Sequence, residues 1–133
     1  MEKFLGKWSL LREQCDYQLG EPPREGWYLL EQEPGQVKVT MDWTDSHGQH
    51  HQQSYSGIPD GNEYPYPDSP AVDAVSMTLV NENRLDSAAL KTGSLVNHAA
   101  RELSPDGQVM KVTMTFYTPG ATLINIAHYR REG

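Results

Sequence analysis

The chain has 133 residues, a length that suits one domain with its own hydrophobic core, and we expect a single domain over residues 1–133. Apolar residues make up 37% and charged residues 22%, a balance that argues against a disordered chain. The formal net charge of −7, with no local cluster of Lys and Arg, disfavours nucleic acid and anionic membrane surfaces as partners.

The first predicted strands lie between the N-terminal region and a proline-rich stretch. They are short runs rich in Val, Thr, Tyr and Trp, separated by turn-forming residues such as Pro34-Gly35. The predicted strands in this part are 27–33, 37–43 and 50–55. Residues 57–73 hold four of the nine prolines, which cannot donate to a β-ladder, so we predict a loop there.

Strand character resumes after this stretch and continues to the C-terminal end. The alternation of Met110, Val112, Met114 and Phe116 with polar residues predicts a strand with one apolar face. The turn before it, Ser104–Gly107, combines Pro, Asp and Gly. The predicted strands here are 74–80, 84–90, 95–103, 110–116 and 121–131.

The number and spacing of these strands indicate the fold class. A sheet of many short strands must curl, split or close, and consecutive hairpins with short turns favour an up-and-down arrangement over a Greek-key sandwich. Closure also removes exposed strand edges. We therefore expect an all-β fold, a single up-and-down antiparallel β-barrel of about nine or ten strands.

The opening residues Phe4–Leu10 contain Gly6-Lys7-Trp8, and this stretch resembles the Gly-x-Trp first strand of lipocalins and intracellular fatty-acid-binding proteins. Together with residues 73–76, 101–113 and 124–131, it resembles an uncharacterised bacterial group of lipocalin-like proteins. The resemblance implies a lipocalin-like barrel in which Trp8 closes one end and packs under Arg130 or Arg131.

Two features of fatty-acid-binding proteins are missing from this sequence. Those proteins hold a carboxylate with an Arg-x-Tyr pair on the last strand, and the matching stretch here is Ala127-His128-Tyr129, which keeps the Tyr and lacks the Arg. Residues 16–26 are also too short and too rich in proline for the helical lid of that family. The resemblance therefore predicts the fold without predicting a fatty acid as ligand.

Several polar side chains on the last three predicted strands are the candidate ligand-binding residues. A few convergent polar groups inside apolar walls are how a barrel orients a small ligand, although the same residues would also suit a polar plug or an outer-face network. The candidates are His98, Arg101, Tyr117, His128, Tyr129 and Arg130. On the last strand alternation leaves two options: either the face of His128 and Arg130 points inward, or that of Tyr129 and Arg131 does.

The predicted function, based on these residues, is binding or carriage of a small apolar or amphipathic molecule. A guanidinium facing a barrel interior is costly unless it is paired, so we expect Arg101, Arg130 or Arg131 to hold an anionic or hydrogen-bond-accepting head together with Tyr117 or Tyr129. No nucleophile elbow or phosphate-binding loop is present, so no catalytic residue and no cofactor are assigned.

Three alternatives remain open at this stage. One is a small barrel enzyme of isomerase or dehydratase type that uses His98 or His128 as its general base. Another is a heme-binding barrel with one of these histidines as the inward ligand. The third is a packed interaction module without ligand, whose outer sheet pairs with a second copy in a homodimer.

Other features concern metals, location and the mouth of the barrel. His47, His50 and His51 are close in sequence, but alternation sends the last two to opposite faces, so we expect no metal site.

The single Cys15, the absence of a signal-like N-terminus and the absence of a long apolar segment predict a cytoplasmic protein without membrane insertion. Residues 64–67 are either a flap over the barrel mouth or a loop packed on the sheet.

Overall fold

The computed structural model describes residues 1–132 and shows eleven antiparallel strands in one sheet. The strands are β1 Gly6–Leu10, β2 Asp16–Tyr17, β3 Glu25–Glu33, β4 Gln36–Thr44, β5 His50–Gly57, β6 Asp60–Pro65, β7 Ala74–Asn81, β8 Arg84–Lys91, β9 Ser94–Leu103, β10 Val109–Thr118 and β11 Ala121–Arg131. Two single 3₁₀ turns, Glu2–Phe4 and Arg12–Gln14, are the helical elements of this range, and neither could cross a membrane.

The strand order makes the sheet a nearly closed up-and-down barrel. The order is β5-β4-β3-β1-β11-β10-β9-β8-β7-β6, with β2 beside β11. Strand β1 pairs with β3 on one side and with β11 on the other. It therefore joins the first long strand of the chain, β3, to the last one, β11. The predicted all-β, up-and-down antiparallel barrel is confirmed, with eleven strands instead of nine or ten.

The predicted loop over residues 57–73 is partly wrong, because this stretch contains β6. Strand β6 pairs with β7 alone, and the register shifts between Asp60 and Glu63. Pro65 lies at the last position of the strand. A proline is tolerated at the end of an edge strand, where no ladder hydrogen bond needs its missing N–H. The proline content therefore concealed an edge strand.

Side chains bridge the gap between β5 and β6, where the two strands are not hydrogen-bonded neighbours. The rings of Tyr55 and Tyr66 lie 5.1 Å apart across it, and the Tyr66 hydroxyl donates to Gln53 Oε1 at 2.6 Å. Gly57 allows the ring of Tyr64 to approach, since a Cβ at this position would come within 2.9 Å of it. The aromatic residues of segment 64–67 thus cover the gap.

The closed end of the barrel, which carries the N-terminal 3₁₀ turn, contains the two largest fully buried side chains of the core, Trp8 and Phe4. Trp8 is fully buried, and its Nε1 donates to the Phe4 carbonyl at 3.0 Å. Arg131 places its Cζ 4.2 Å from the Trp8 ring centroid, and its Nη1 donates to the Leu5 carbonyl at 2.8 Å. Of the two arginines that the resemblance offered, Arg131 therefore covers Trp8.

Gly6 is required for this arrangement. Its φ of +118° is a conformation that residues with a side chain rarely adopt, and a Cβ there would lie 3.3 Å from Arg131 Nη1. The Gly-x-Trp pair thus has two separate roles. Gly6 makes room for the arginine, and Trp8 supplies the surface on which the arginine packs.

Replacing Trp8 with Ala should lower the free energy of unfolding by about 3–5 kcal/mol, because a large buried ring would leave a cavity. Trp27→Ala is the matched control, since the Trp27 indole is half-exposed beneath Lys7. We expect that control to lose much less stability. Urea denaturation followed by circular dichroism measures both, and a similar loss in the two variants would contradict the role given to Trp8.

Candidate functional site

A cavity of about 530 Å³ opens at the end of the barrel opposite Trp8, which we call the open end. This volume is within the range of small-molecule sites. Its wall combines apolar side chains such as Met41, Val75 and Met114 with a few polar ones. The barrel interior is therefore incompletely filled.

Arg101 is a charged residue buried in the barrel interior. It is only 3% exposed and lies in register with Leu85 of β8 and Val112 of β10, both fully buried or nearly so. Its Nη1 donates to Ser87 Oγ at 2.8 Å, and its Cζ lies 5.3 Å from the ring centroid of Tyr28. Because side chains alternate along β9, the Arg101 guanidinium lies on the cavity wall although its partners in register are apolar.

The hydrogen bonds of Arg101 are incomplete. Its Nε is buried without a hydrogen-bond partner, and within residues 1–132 no carboxylate oxygen lies within 4.0 Å of its guanidinium nitrogens. A guanidinium stays protonated in proteins, so its positive charge is present in the interior. The cavity wall therefore holds a cation that has no carboxylate within 4.0 Å among the described residues, and a buried N–H donor beside it that has no acceptor.

Tyrosines surround this guanidinium. The rings of Tyr28 and Tyr129 make an edge-to-face contact at 4.9 Å with an interplanar angle of 76°. Burial raises the pKa of the Tyr129 phenol well above its ordinary value of 10.0, and burial likewise raises the pKa of Tyr55. These phenols therefore remain neutral at physiological pH and can donate hydrogen bonds to a ligand.

Two of the six candidate residues lie on the cavity wall, Arg101 and Tyr129. On β11 the side chains of Asn125 and Tyr129 face the cavity, so of the two options left by alternation the face of Tyr129 and Arg131 is the inward one. The closed-end position of Arg131 over Trp8 agrees with this orientation.

The other four candidates, His98, Tyr117, His128 and Arg130, do not line the cavity. His98 places its Nε2 3.4 Å from Asp86 Oδ2, and His128 places its Nδ1 2.8 Å from the Gln14 carbonyl. Tyr117 is 45% exposed, and Arg130 is also exposed. All four alternate with inward residues, which sends their side chains to the outer face.

Sequence reasoning missed most polar residues of the cavity wall, among them Tyr28, Tyr55, Ser87 and Asn125. A signal was present for Ser87, because it shares the face of Leu85 and Ala89 in an alternating strand. A similar signal was present for Tyr28, because alternation on β3 places it on the opposite face from Trp27. The pairing of these distant residues with Arg101 depends on strand register, which the sequence alone does not specify.

Asn125 connects the barrel to the segment between β1 and β3. Its Oδ1 accepts from the backbone amides of Gln18 and Leu19 at 2.9 Å each, and its Nδ2 donates to the Leu19 carbonyl at 2.9 Å. The same segment contributes Glu21 and Pro23 to the cavity lining. The segment contains one 3₁₀ turn and the short β2. It has no helical lid, as the length and proline content of residues 16–26 predicted.

The three histidines of the β4–β5 region do not converge. His50 pairs with Asp42 at 2.9 Å, and His51 pairs with Asp45 at 2.8 Å while stacking on Trp43 at 5.0 Å. The His51 side chain, together with the backbone amide of Gln49, holds the pKa of Asp45 at about 2. This pair fixes the indole of Trp43, a residue of the cavity lining, at the open end.

Comparison with known proteins supports the fold. No protein-family model and no curated protein matches the sequence. Among solved structures, the zebrafish ileal bile acid-binding protein in complex with cholic acid superposes with a TM-score of 0.63 at 14% identity, covering 98% of this chain and 99% of that one. A siderocalin, Ex-FABP, gives a TM-score of 0.40 at 10% identity, covering 98% and 74%. The chain thus has the fold of the bile acid-binding protein, a β-barrel of the kind that the resemblance implied.

Replacing His51 with Ala should raise the pKa of Asp45 from about 2 towards its ordinary value of 3.8, because the side-chain donor is lost. In the native protein the lowered pKa stabilises the fold above about pH 4. That contribution is lost as the pH falls towards 2. A carboxyl-carbon NMR titration measures the change.

The matched control for this titration is His47→Ala, because His47 contacts Asp45 through its backbone amide and not through its ring. We expect the control to keep the native pKa of Asp45. An unchanged pKa in the His51 variant would show that the ring does not hold this carboxylate.

Proposed function

We propose that the protein binds one small amphipathic molecule in the barrel cavity, with the anionic or hydrogen-bond-accepting group of that molecule on Arg101 and Tyr129. The observation that carries the proposal is the buried guanidinium, whose Nε is unpartnered and which has no carboxylate oxygen within 4.0 Å among residues 1–132. Burial of a charge is costly unless it is paired, and a buried donor without an acceptor adds a further penalty. A ligand acceptor at this point removes both costs.

The chemistry of the surrounding donors supports an oxyanion as the ligand head. A guanidinium offers parallel N–H donors that match the two oxygens of a carboxylate. The ring centroid of Tyr28 lies 5.3 Å from the Arg101 Cζ and 4.9 Å from the ring centroid of Tyr129, so tyrosine side chains lie close to the guanidinium. Recognition therefore combines one cation with at least one uncharged hydroxyl donor.

The remaining wall supports an apolar body for the ligand. The cavity volume equals that of roughly 18 water molecules at liquid density, which is room for one lipid-sized or smaller molecule. Side chains such as Leu10, Val75 and Met114 offer apolar contact along this space. The complex of the bile acid-binding protein with cholic acid shows that a barrel of this fold accommodates a small organic acid.

Two observations favour binding over the alternatives. Neither His98 nor His128 lines the cavity, so the general base of the enzyme alternative and the axial ligand of the heme alternative are both on the outer face. The cavity also distinguishes this barrel from a solidly packed interaction module. We therefore infer a carrier or sensor that makes no covalent bond with its ligand.

Calorimetric titration of carboxylates against their carboxamides tests the charge of the ligand head. The two ligand bodies are a linear acyl chain and an anthracene ring system. For any body that binds, we expect the carboxylate to bind at least about tenfold tighter than the amide, because hydrogen bonds to charged groups contribute about 1.5–3 kcal/mol. Arg101→Met should abolish this preference, whereas Arg130→Met, which changes an exposed arginine, should leave it intact.

Loss of binding in Arg101→Met must be separated from loss of folding. Replacing a buried cation that lacks a counter-charge with an apolar side chain of similar volume is often neutral or stabilising. We therefore expect the variant to retain its free energy of unfolding to within about 1 kcal/mol, or to gain stability. Failure of both carboxylates to bind the native protein, or a charge preference that survives in the variant, would contradict the proposal.

A further inference from the structure

We propose that the cavity prefers a flat aromatic acid to an unbranched acyl chain with the same number of carbon atoms. The inference rests on the proposed function, because it takes Arg101 as the site of the acidic group. Apart from Trp27, which lies beneath Lys7, seven of the lining residues are aromatic, whereas six are Leu, Val or Met. This composition, and not the guanidinium alone, distinguishes between ligand bodies.

Several of these rings are held in place by a second ring. Tyr28 is set against Tyr129, Tyr55 against Tyr66 at 5.1 Å, and Trp43 against His51 at 5.0 Å with an interplanar angle of 18°. Hydrogen bonds add to this, since Tyr66 donates to Gln53 at 2.6 Å and His51 pairs with Asp45 at 2.8 Å. The aromatic surface is therefore ordered before a ligand arrives.

An ordered aromatic wall favours a rigid planar ligand over a flexible chain. Aromatic rings interact with one another in offset-stacked and edge-to-face geometries beyond the effect of buried area. A fused-ring ligand has few torsions to lose, whereas an acyl chain loses rotational freedom along its whole length when it is confined. Preorganisation of both partners therefore favours the ring system.

The spacing of the wall gives this ligand a direction. Val112, which is in register with Arg101, and Phe116 are separated by four residues of β10, or roughly 13 Å along the strand. Phe116 and Trp43 belong to the lining on the side of the open end. An acid built on three linearly fused rings would place its carboxylate at Arg101 and its far ring near Phe116.

The test compares anthracene-2-carboxylate, whose acid group is on a terminal ring, with pentadecanoate, an acid with the same numbers of carbon and oxygen atoms. By calorimetry we expect the aromatic acid to bind the native protein at least about tenfold tighter. Phe116→Leu keeps an apolar side chain but removes a ring, and should weaken the aromatic acid about threefold to tenfold while changing pentadecanoate by less than about twofold. Tyr117→Leu is the matched control, because this neighbouring ring is 45% exposed and does not line the cavity.

The outcomes separate the two proposals. Equal or tighter binding of pentadecanoate, or equal weakening of both acids by Phe116→Leu, would overturn the aromatic preference while Arg101-dependent binding of either carboxylate would still support the proposed function. If neither acid binds the native protein, both proposals fail. Trp43→Leu serves as the second ring variant if Phe116→Leu does not fold, with the same expected selectivity.

Discussion

The contact between Trp8 and Arg131 is the constraint on which the rest of the barrel depends. Strand β1 is shared between β3 and β11, so a few residues around Trp8 convert an open sheet into a nearly closed barrel. The buried indole fills that end, and the guanidinium from the last strand covers it at 4.2 Å. Without this closure the inward faces of β8 to β11 would meet water, and Arg101 would be an ordinary surface arginine.

Closure of the barrel also explains why the two inward arginines have different roles. Arg131 is inward at the closed end, where backbone carbonyls such as that of Leu5 accept its hydrogen bonds. Arg101 is inward in the cavity, where Ser87 accepts one bond and Nε has none. The first arginine is a structural cover, and the second is the one on which we place the ligand, because its neighbours do not satisfy it.

The charge distribution sets the range over which recognition acts. The net charge of −7 repels an anionic ligand at long range, and salt screens this field over about 8 Å at physiological ionic strength. The attraction of Arg101 operates inside the barrel, where the effective dielectric constant is low. Affinity in this account therefore arises from burial beside one cation, and not from electrostatic steering.

The fold was predictable from the sequence because alternation and turns are local signals. Strand β10 shows a single apolar face, and its neighbours follow through short turns. Strand β6 was missed because prolines conceal an edge strand, which pairs with β7. The difference lies at a position where the local signal is ambiguous.

The candidate site was less predictable, because it depends on which face of a strand points inward and on contacts between distant strands. On β11 both faces mix apolar and polar residues, so alternation could not decide between His128 and Tyr129. Arg101 was recognised as a candidate, but its neighbours Tyr28 and Ser87 belong to other strands and reach it only through the register of the closed barrel. The role of a polar residue inside a barrel depends on such partners.

The proposed binding mode requires that the Nε–H of Arg101 lacks an acceptor until an acidic ligand supplies one. Proton–nitrogen correlation spectra of the Arg101 Nε–H group test it most directly, with the signal assigned by its loss in Arg101→Met. On titration with a carboxylate that calorimetry shows to bind, such as pentadecanoate or anthracenecarboxylate, the account predicts a downfield shift and slower exchange with solvent. A signal that stays unchanged at saturation would place the ligand elsewhere and contradict the account.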